Sequence, residues 1–277
     1  MIRHEIVRPP EFVYPIDEWK MIETRFYPRY LPQAETLFSI GNGYLGLRGN
    51  FDEGRPIHQR GTFVNGFHET WPIVYGEDAY GFAKTGQTIL SVPDGKILKL
   101  YVDDEPLYLP TANLLEFNRT LDMRAGTLDR RVLWETPSGK QVLVESRRLV
   151  SFEHRHLAAI SYRVTVLNAT APVVVSSQLA NVEERATETS DPRKARGFAE
   201  YPLLPRRSYS ADHRVVLGYE VRNSRMTLAC GAEHLIETEC PYRVETETND
   251  DVGKVVFTVS ALEGEPITIT KYLTYHT

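Results

Sequence analysis

Apolar side chains recur at every second position through most of the chain after Gln87. Between Ile160 and Val166, apolar and polar residues alternate strictly. The same alternation is found at 98–102, 215–221 and 255–259. A β-strand turns successive side chains to opposite faces, so this pattern predicts strands with one face in a core and one in water. Because no stretch of ~10 or more residues shows the 3.6-residue apolar spacing of a helix, we expect an all-β protein with few or no long helices.

Short turn-forming sequences separate the alternating segments. They lie at 93–95, 137–139, 249–251 and 263–264, and each contains Pro, Gly, Asn or Asp. Since these residues favour tight reversals of the chain, the pattern predicts a succession of antiparallel hairpins. With a mean strand length of ~5–6 residues, roughly fourteen to eighteen strands fit into the sequence.

That number of strands exceeds the roughly seven of a simple β-sandwich and leaves two architectures open. Either two large antiparallel sheets pack face to face, or two β-domains follow one another. No linker rich in Gly, Ser or Pro interrupts the middle of the chain, which favours one large two-sheet β-sandwich over residues 1–277. Within it, residues 86–277 are predicted to supply the regular strands, with a polar loop near 181–213.

Residues 1–85 have a different character, because they are rich in Gly, Pro and aromatic residues and show little periodicity. Short strands and long loops are predicted there. The segment Trp71–Phe82 places Glu77 and Asp78 beside aromatic rings. Carboxylates accept hydrogen bonds from sugar hydroxyls while apolar faces contact sugar rings, but the same residue types also cap and pack ordinary loops. Both interpretations, a sugar contact and a structural loop, remain open from the residues alone.

The charge balance limits the classes of partner. The chain has 32 Lys and Arg against 37 Asp and Glu, a net charge of −5, and lacks the clustered cations that bind nucleic acid or an anionic membrane. The first residues lack the apolar core of a signal peptide, and no apolar run approaches the ~20 residues of a membrane span. We therefore expect a cytoplasmic protein without membrane contact, in which Cys230 and Cys240 are buried free thiols.

Local motifs for nucleotides, metals or catalysis are weak. Gly41–Gly46 matches the dinucleotide fingerprint G-x-G-x-x-G, but further glycines follow where the required helix would begin, so a tight turn between short strands is the better interpretation. His154 and His156 are two positions apart with no further metal-ligand pattern around them. The residues alone thus assign no catalytic residue, no metal and no cofactor.

Longer blocks of the sequence resemble a known family. The blocks are Glu35–Asn50, Trp71–Asp94, Arg119–Arg124 and Arg147–Ser151. They are similar to the N-terminal region of glycoside hydrolase family 65, which includes the maltose, trehalose and kojibiose phosphorylases and related hydrolases, and the resemblance extends over nearly the whole chain. It implies a β-sandwich of the galactose-mutarotase type, a supersandwich, in agreement with the strand count. It also implies that a helical linker, an (α/α)6 barrel with the active site and a small β-domain are missing from this chain.

The resemblance implies inverting cleavage of an α-glucosidic bond, with phosphate or water as the attacking group. Because the catalytic groups belong to the missing barrel, no catalytic residue is assigned here. No cofactor is expected, and inorganic phosphate would be a co-substrate of the full-length enzyme if it is a phosphorylase. The expected partners are the missing (α/α)6 barrel, an α-linked glucose disaccharide for the whole enzyme, and a second copy in a homodimer.

Three functions remain open from the sequence. The favoured one is a non-catalytic scaffold domain whose loops pack on the barrel. A stand-alone carbohydrate-binding module is the alternative, and it requires an exposed aromatic platform. The third is an aldose epimerase, with acid and base drawn from residues such as Glu145, Glu153, His154 and His156. The residues predicted to form an interdomain or sugar contact are Tyr44, Arg48, Trp71, Tyr75, Glu77, Asp78, Tyr80 and Phe82.

Overall fold

The computed structural model describes residues 10–77, 79–181 and 201–277. In these residues the chain forms eighteen strands, a 3-10 turn (Pro28–Tyr30) and one short helix, α1 (Leu31–Leu37). In chain order the strands are β1 (Lys20–Glu23), β2 (Ile40–Gly41), β3 (Leu45–Leu47), β4 (Thr62–Pro72), β5 (Thr85–Ser91), β6 (Leu98–Val102), β7 (Glu105–Pro106), β8 (Asn113–Asp122), β9 (Thr127–Glu135), β10 (Gln141–Val150), β11 (Leu157–Val166), β12 (Ala171–Ala180), β13 (Leu203–Ala211), β14 (Arg214–Val221), β15 (Thr227–Glu237), β16 (Tyr242–Thr248), β17 (Val252–Ala261) and β18 (Pro266–His276).

The strands form three antiparallel sheets. The large sheet has nine strands in the order β1-β8-β9-β10-β11-β18-β15-β14-β13. The second sheet has five strands in the order β16-β17-β12-β6-β7, and the N-terminal sheet has four, β2-β3-β4-β5. The predicted all-β antiparallel sandwich is confirmed, and the N-terminal sheet is an addition to its two main layers.

The core lies between the large sheet and the second sheet. On β11 of the large sheet, Ile160 and Val164 are fully buried. Val175 and Phe257 of the second sheet belong to the same apolar cluster. Burying one such side chain contributes roughly 1.5–3 kcal/mol, so the alternation in the sequence marks the face of each strand that stabilises the sandwich.

Two of the four predicted hairpins are wrong. The turns at 137–139 and 249–251 join neighbouring strands of one sheet, as predicted. The turns at 93–95 and 263–264 instead lead from β5 to β6 and from β17 to β18, which belong to different sheets. A sandwich requires such crossovers between its layers, and turn-forming residues specify a reversal without specifying which strand comes next.

The polar loop predicted near 181–213 is tested only where the chain is described. Its residues 182–200 lie outside the part of the chain that the structure describes. From Leu203 to Ala211 the prediction is wrong, because these residues form β13 at the edge of the large sheet. Only Leu203 of this strand is buried, so its sequence lacks the apolar alternation that reveals the other strands.

Both cysteines are buried free thiols, as predicted. Burial raises the pKa of the Cys230 thiol well above its ordinary value. In the described ranges the longest helix, α1, has seven residues, so none of the helices found there could cross a bilayer.

Candidate functional site

Several connections of the large sheet meet at one end of its strands. The antiparallel registers place the β8–β9 turn (123–126), the β10–β11 loop (151–156), the β14–β15 turn (222–226) and the last residues of β18 at this end. The β2–β3 hairpin (42–44) lies against them. We call these five segments, together with Trp19 just before β1, the strand-end surface.

Tyr44 connects the hairpin to the end of β18. Its hydroxyl donates to the carbonyl oxygen of Tyr275 at 3.4 Å, and its ring packs edge-on against His156 with 4.6 Å between centroids. His156 in turn stacks on His276 at 4.1 Å. Partial burial and the neighbouring His156 and Arg155 lower the pKa of the His276 imidazole. The lowered pKa favours the neutral His276 ring, which suits the close stack on His156.

The hairpin itself is held by Asn42. Its side-chain amide donates to the carbonyl oxygens of Ser151 at 2.6 Å and Arg155 at 3.0 Å. Gly43, with φ of +86°, adopts the left-handed conformation that the tight turn requires. The glycine motif Gly41–Gly46 thus forms a turn between two short strands, as predicted, and it fixes the hairpin to the β10–β11 loop.

Exposed apolar side chains extend the strand-end surface. Phe152 is 78% exposed and Met123 is 55% exposed. The Met123 amide donates to the Trp19 carbonyl oxygen at 2.9 Å, and the Arg124 guanidinium lies over the Trp19 ring at 4.6 Å. A Cβ placed on Gly126 would lie 3.9 Å from the Phe152 ring, so the two turns are neighbours. Clustered exposed apolar residues are typical of a surface that contacts another protein or domain.

The second half of β4 and the first half of β5 form a two-stranded ribbon. Trp71 lies across this ribbon against Gly86, where a Cβ would approach the indole to 2.3 Å. At its tip, which we define as residues 73–77 and 79–84, the rings of Tyr75 and Phe82 lie 4.7 Å apart. Tyr80 is fully exposed. The ribbon therefore carries five of the predicted contact residues, and four of them, Tyr75, Glu77, Tyr80 and Phe82, lie at its tip.

The remaining predicted contact residues lie at different places in the structure. Tyr44 lies in the strand-end surface. Asp78 lies outside the described residues. Arg48 is not part of either group of contacts: its guanidinium donates to Thr36 at 3.1 Å and lies 3.7 Å from the buried Glu35 carboxylate. Its contacts are therefore those of a structural ion pair.

Glu69 fixes the ribbon to the strand-end surface, although sequence reasoning does not single it out. Its buried carboxylate accepts hydrogen bonds from the amides of Asn223 at 3.1 Å and Ser224 at 2.9 Å, both in the β14–β15 turn. The Ser224 hydroxyl donates to the His68 carbonyl oxygen at 2.7 Å, and the Asn223 side chain donates to the Thr70 carbonyl oxygen at 3.1 Å. These partners are 153 to 156 positions apart in the chain, so no local sequence signal reveals them.

The buried carboxylates of the described residues are all engaged in structural contacts. Glu35 accepts the amides of His58 and Gln59, and Glu69 accepts those of the β14–β15 turn. The ion pairs are Glu23 with Arg119, Asp52 with Arg148, Glu53 with Arg130 and Asp94 with Lys96. Inverting glycoside cleavage by water needs two carboxyl groups on either side of an open site, and these buried groups do not provide them.

The residues considered for an epimerase have separate environments. Glu145 lies on β10 and pairs with Arg131 at 2.7 Å, while Glu153 and His154 are exposed on the β10–β11 loop. His156 Nδ1 lies 2.8 Å from the Tyr275 carbonyl oxygen. An open groove of about 630 Å³ between residues 24–27 and 114–118 is lined by none of these four. Among the described residues, no group of three His, Cys, Asp or Glu is placed to hold a metal ion.

The structure defines a large antiparallel β-sandwich domain with an additional N-terminal sheet. Residues 21–277 match the profile of the glycosyl hydrolase family 65 N-terminal domain. The chain therefore belongs to this family.

Relatives of known sequence and structure agree with the assignment. An uncharacterized glycosyl hydrolase of Mycobacterium tuberculosis is 39% identical over 267 residues, which cover 96% of this chain and 34% of that protein. An α,α-trehalose phosphorylase of Thermoanaerobacter brockii is 34% identical over 269 residues, or 96% of this chain and 35% of the relative. A solved structure named as a candidate kojibiose phosphorylase from the human microbiome superposes with a TM-score of 0.82 at 18% identity, over 98% of this chain and 34% of its own. The chain thus spans about a third of the length of the relatives that it matches.

Proposed function

We propose that this chain is the non-catalytic N-terminal domain of an enzyme that cleaves an α-glucosidic disaccharide with inversion. The observation that carries this proposal is the contrast between the buried carboxylates and the exposed apolar side chains. Among the described residues, the buried carboxylates are engaged by arginines, a lysine or backbone amides. Exposed apolar side chains are present at the strand-end surface (Trp19, Met123 and Phe152) and at the ribbon tip (Val74, Tyr80 and Phe82). Carboxylates held in these contacts are not free to act as a general acid or base. The exposed apolar side chains supply a surface on which another domain can dock.

The remaining two thirds of the enzyme would supply the chemistry. The relatives that are three times as long include phosphorylases of trehalose and of kojibiose, which supports a phosphorolytic reaction on an α-linked glucose disaccharide. In that reaction one protonated carboxyl group donates to the leaving oxygen while inorganic phosphate attacks from the opposite face. In a hydrolase, a second carboxylate would activate water instead.

Two buried free thiols support a cytoplasmic location for the enzyme, because a reducing compartment keeps cysteines unpaired. Docking of the strand-end surface on the rest of the polypeptide, and a second copy of the chain as a further partner, belong to the same proposal.

A paired activity assay tests the proposed function. The isolated chain and the full-length protein are each given maltose, trehalose and kojibiose, with and without inorganic phosphate, and glucose 1-phosphate and free glucose are measured. We expect the isolated chain to be inactive and the full-length protein to release glucose 1-phosphate only when phosphate is present. Free glucose formed without phosphate would identify a hydrolase. Product formation by the isolated chain would contradict the non-catalytic role.

A further inference from the structure

The ribbon of β4 and β5 projects from the N-terminal sheet on its own. Up to Val64, β4 pairs with β3, but His68–Pro72 pair only with β5. The register shifts between Phe63 and His68, and Gly66 in this stretch has φ of +80°. A positive φ at a glycine allows a local bend that other residues resist. Beyond this irregularity the two strands continue as a ribbon that is paired only within itself.

The direction of the ribbon is fixed at its base. Glu69 is 1% exposed, and its carboxylate receives amides from both Asn223 and Ser224. It also receives the Thr70 amide at 2.7 Å. Hydrogen bonds to an ionised acceptor are roughly twice as strong as neutral ones. The two amides of the β14–β15 turn that meet this buried carboxylate therefore attach the base of the hairpin to the large sheet.

Most of the described residues of the tip, by contrast, are exposed. Val74 and Tyr80 are among the most exposed apolar side chains described. The tilted pair of Tyr75 and Phe82 is the ring contact found there. A ribbon with a rigid base and an aromatic, exposed tip has the form of an arm that engages a surface outside its own domain.

The location of the ribbon's base indicates which surface its tip contacts. The Tyr44 carbonyl oxygen accepts the amide of Asn65, a residue of β4, at 2.8 Å. The Tyr44 hydroxyl lies 3.4 Å from the Thr277 hydroxyl. Any residues that follow Thr277 in the full-length protein therefore begin beside the base of the ribbon. The chain covers only about a third of the length of its relatives. By this comparison, about two thirds of the proposed enzyme lies outside the chain.

On these grounds we propose that the ribbon is an arm that docks on the catalytic portion of the same polypeptide, and that Glu69 is the residue that positions it. This inference rests on the proposed function, because it requires a catalytic portion in the rest of the enzyme. The tip side chains contact that portion, and the Glu69 carboxylate sets the angle at which they reach it.

Hydrogen exchange measured by mass spectrometry tests the docking. Amides of residues 73–77 and 79–84 are compared between the isolated chain and the full-length protein. We expect exchange at least ~10-fold slower in the full-length protein, because docking removes the tip from water. Equal rates in the two proteins would overturn the inference.

Two variants of the full-length protein test the positioning role of Glu69. Glu69→Gln keeps the shape of the side chain and removes its charge, so the tip is expected to exchange at least ~3-fold faster than in the unmodified protein. Glu245→Gln on β16, whose side chain is exposed, is the matched control and should leave tip exchange unchanged. If Glu69→Gln does not fold, Ser224→Ala removes only the bond to the His68 carbonyl oxygen and should produce a smaller increase. Unchanged tip exchange in the folded variant would contradict the role of Glu69.

The same samples separate this inference from the function on which it rests. Disaccharide turnover by the full-length protein with an unprotected tip would overturn the docking and leave the function in place. A protected tip in a protein that turns over none of the three disaccharides would support the arm as an interdomain contact and contradict the proposed glycosidic activity.

Discussion

The sandwich and the N-terminal segment (10–77 and 79–91) share one apolar core, but the N-terminal segment is also joined to the large sheet by buried charges. The two facing sheets of the sandwich are joined by apolar side chains such as Ile160 and Phe257. The N-terminal segment is fastened to the large sheet by buried ion pairs, in which Glu53 and Asp52 meet Arg130 and Arg148. Apolar packing tolerates many substitutions of similar size, whereas a buried ion pair fails when either partner is lost. The segment that presents the ribbon therefore depends on a few individual charged residues in addition to its apolar packing.

The largest effect is expected when one partner of a buried pair is removed. Arg130 donates two hydrogen bonds to Glu53, at 2.7 and 2.6 Å, and is buried. Although burial alone would lower the pKa of the Arg130 guanidinium, the carboxylates of Glu53 and Asp52 raise it above its ordinary value. Arg130→Ala leaves the Glu53 charge uncompensated and should lower the free energy of unfolding by about 3–5 kcal/mol, measured by urea denaturation.

Replacement of both partners is the control for this variant. Arg130→Met combined with Glu53→Gln removes both charges and keeps an acceptor for the Tyr162 hydroxyl, which lies 2.8 Å from the Glu53 carboxylate, so it should cost less than Arg130→Ala alone. A double variant at least as unstable as the single one would show that the loss comes from packing and not from an unpaired charge.

Within the sandwich, the largest effect should follow from an apolar deletion. Ile160 is fully buried in the core, and Ile160→Ala should lower the free energy of unfolding by about 2–5 kcal/mol through lost burial and a residual cavity. Arg163 on the same strand is exposed, and Arg163→Ala should change it by less than ~0.5 kcal/mol. Similar losses in the two variants would mean that the alternation does not define the core.

A buried histidine gives the sandwich a dependence on pH. Burial, with help from the Lys271 charge, lowers the pKa of His234 from 6.5 to about 3. Its Nε2 lies 2.7 Å from the Ser177 hydroxyl. Because the unfolded chain takes up the proton first, the stabilisation is complete above about pH 6.5 and is lost as the pH falls towards 3, by roughly 1.4 kcal/mol per unit.

Denaturation of the native chain and of His234→Gln at pH 7.5 and pH 5 measures this contribution. The native chain should lose about 2 kcal/mol more than the variant over this interval. Parallel losses would show that His234 does not link the stability of the sandwich to pH.

A small effect is expected one position from the largest. Arg131 follows Arg130 on β9 but faces outward, and its side chain is 48% exposed where it meets Glu145. Since exposed ion pairs contribute about 0–1 kcal/mol, Arg131→Ala should lower the free energy of unfolding by less than ~1 kcal/mol. A loss equal to that of Arg130→Ala would remove the distinction between buried and exposed pairs on which the comparison rests.

Alternation predicts the strands of the sandwich from sequence because burial is repeated along each of them. The alternation also indicates a buried charge. Arg148 lies at an even spacing from Val144 and Val150 on β10 and therefore faces the same buried side. A charged residue at a core position requires a buried partner, and this one pairs with Asp52, which is 96 positions away. Sequence spacing does not identify such a partner, since the pair forms only after the N-terminal segment crosses the sheet.

The candidate site is predictable only in part, for the same physical reason. Exposed aromatics such as Tyr80 are recognisable from the composition of the loop. Glu69 is not, because its partners come from the β14–β15 turn. The strand-end surface also depends on the pairing order of the large sheet, which the periodicity of single strands does not encode.

If this chain supports catalysis without performing it, separate pieces of the enzyme should regain activity when they are combined. The chain and the remainder of the full-length protein are produced separately, and disaccharide phosphorolysis is measured as the chain is added to a fixed amount of the remainder. We expect no turnover by the chain alone and a saturable rise in activity as it binds the remainder. Turnover by the chain alone, or full activity of the remainder with no response to the chain, would contradict the supporting role.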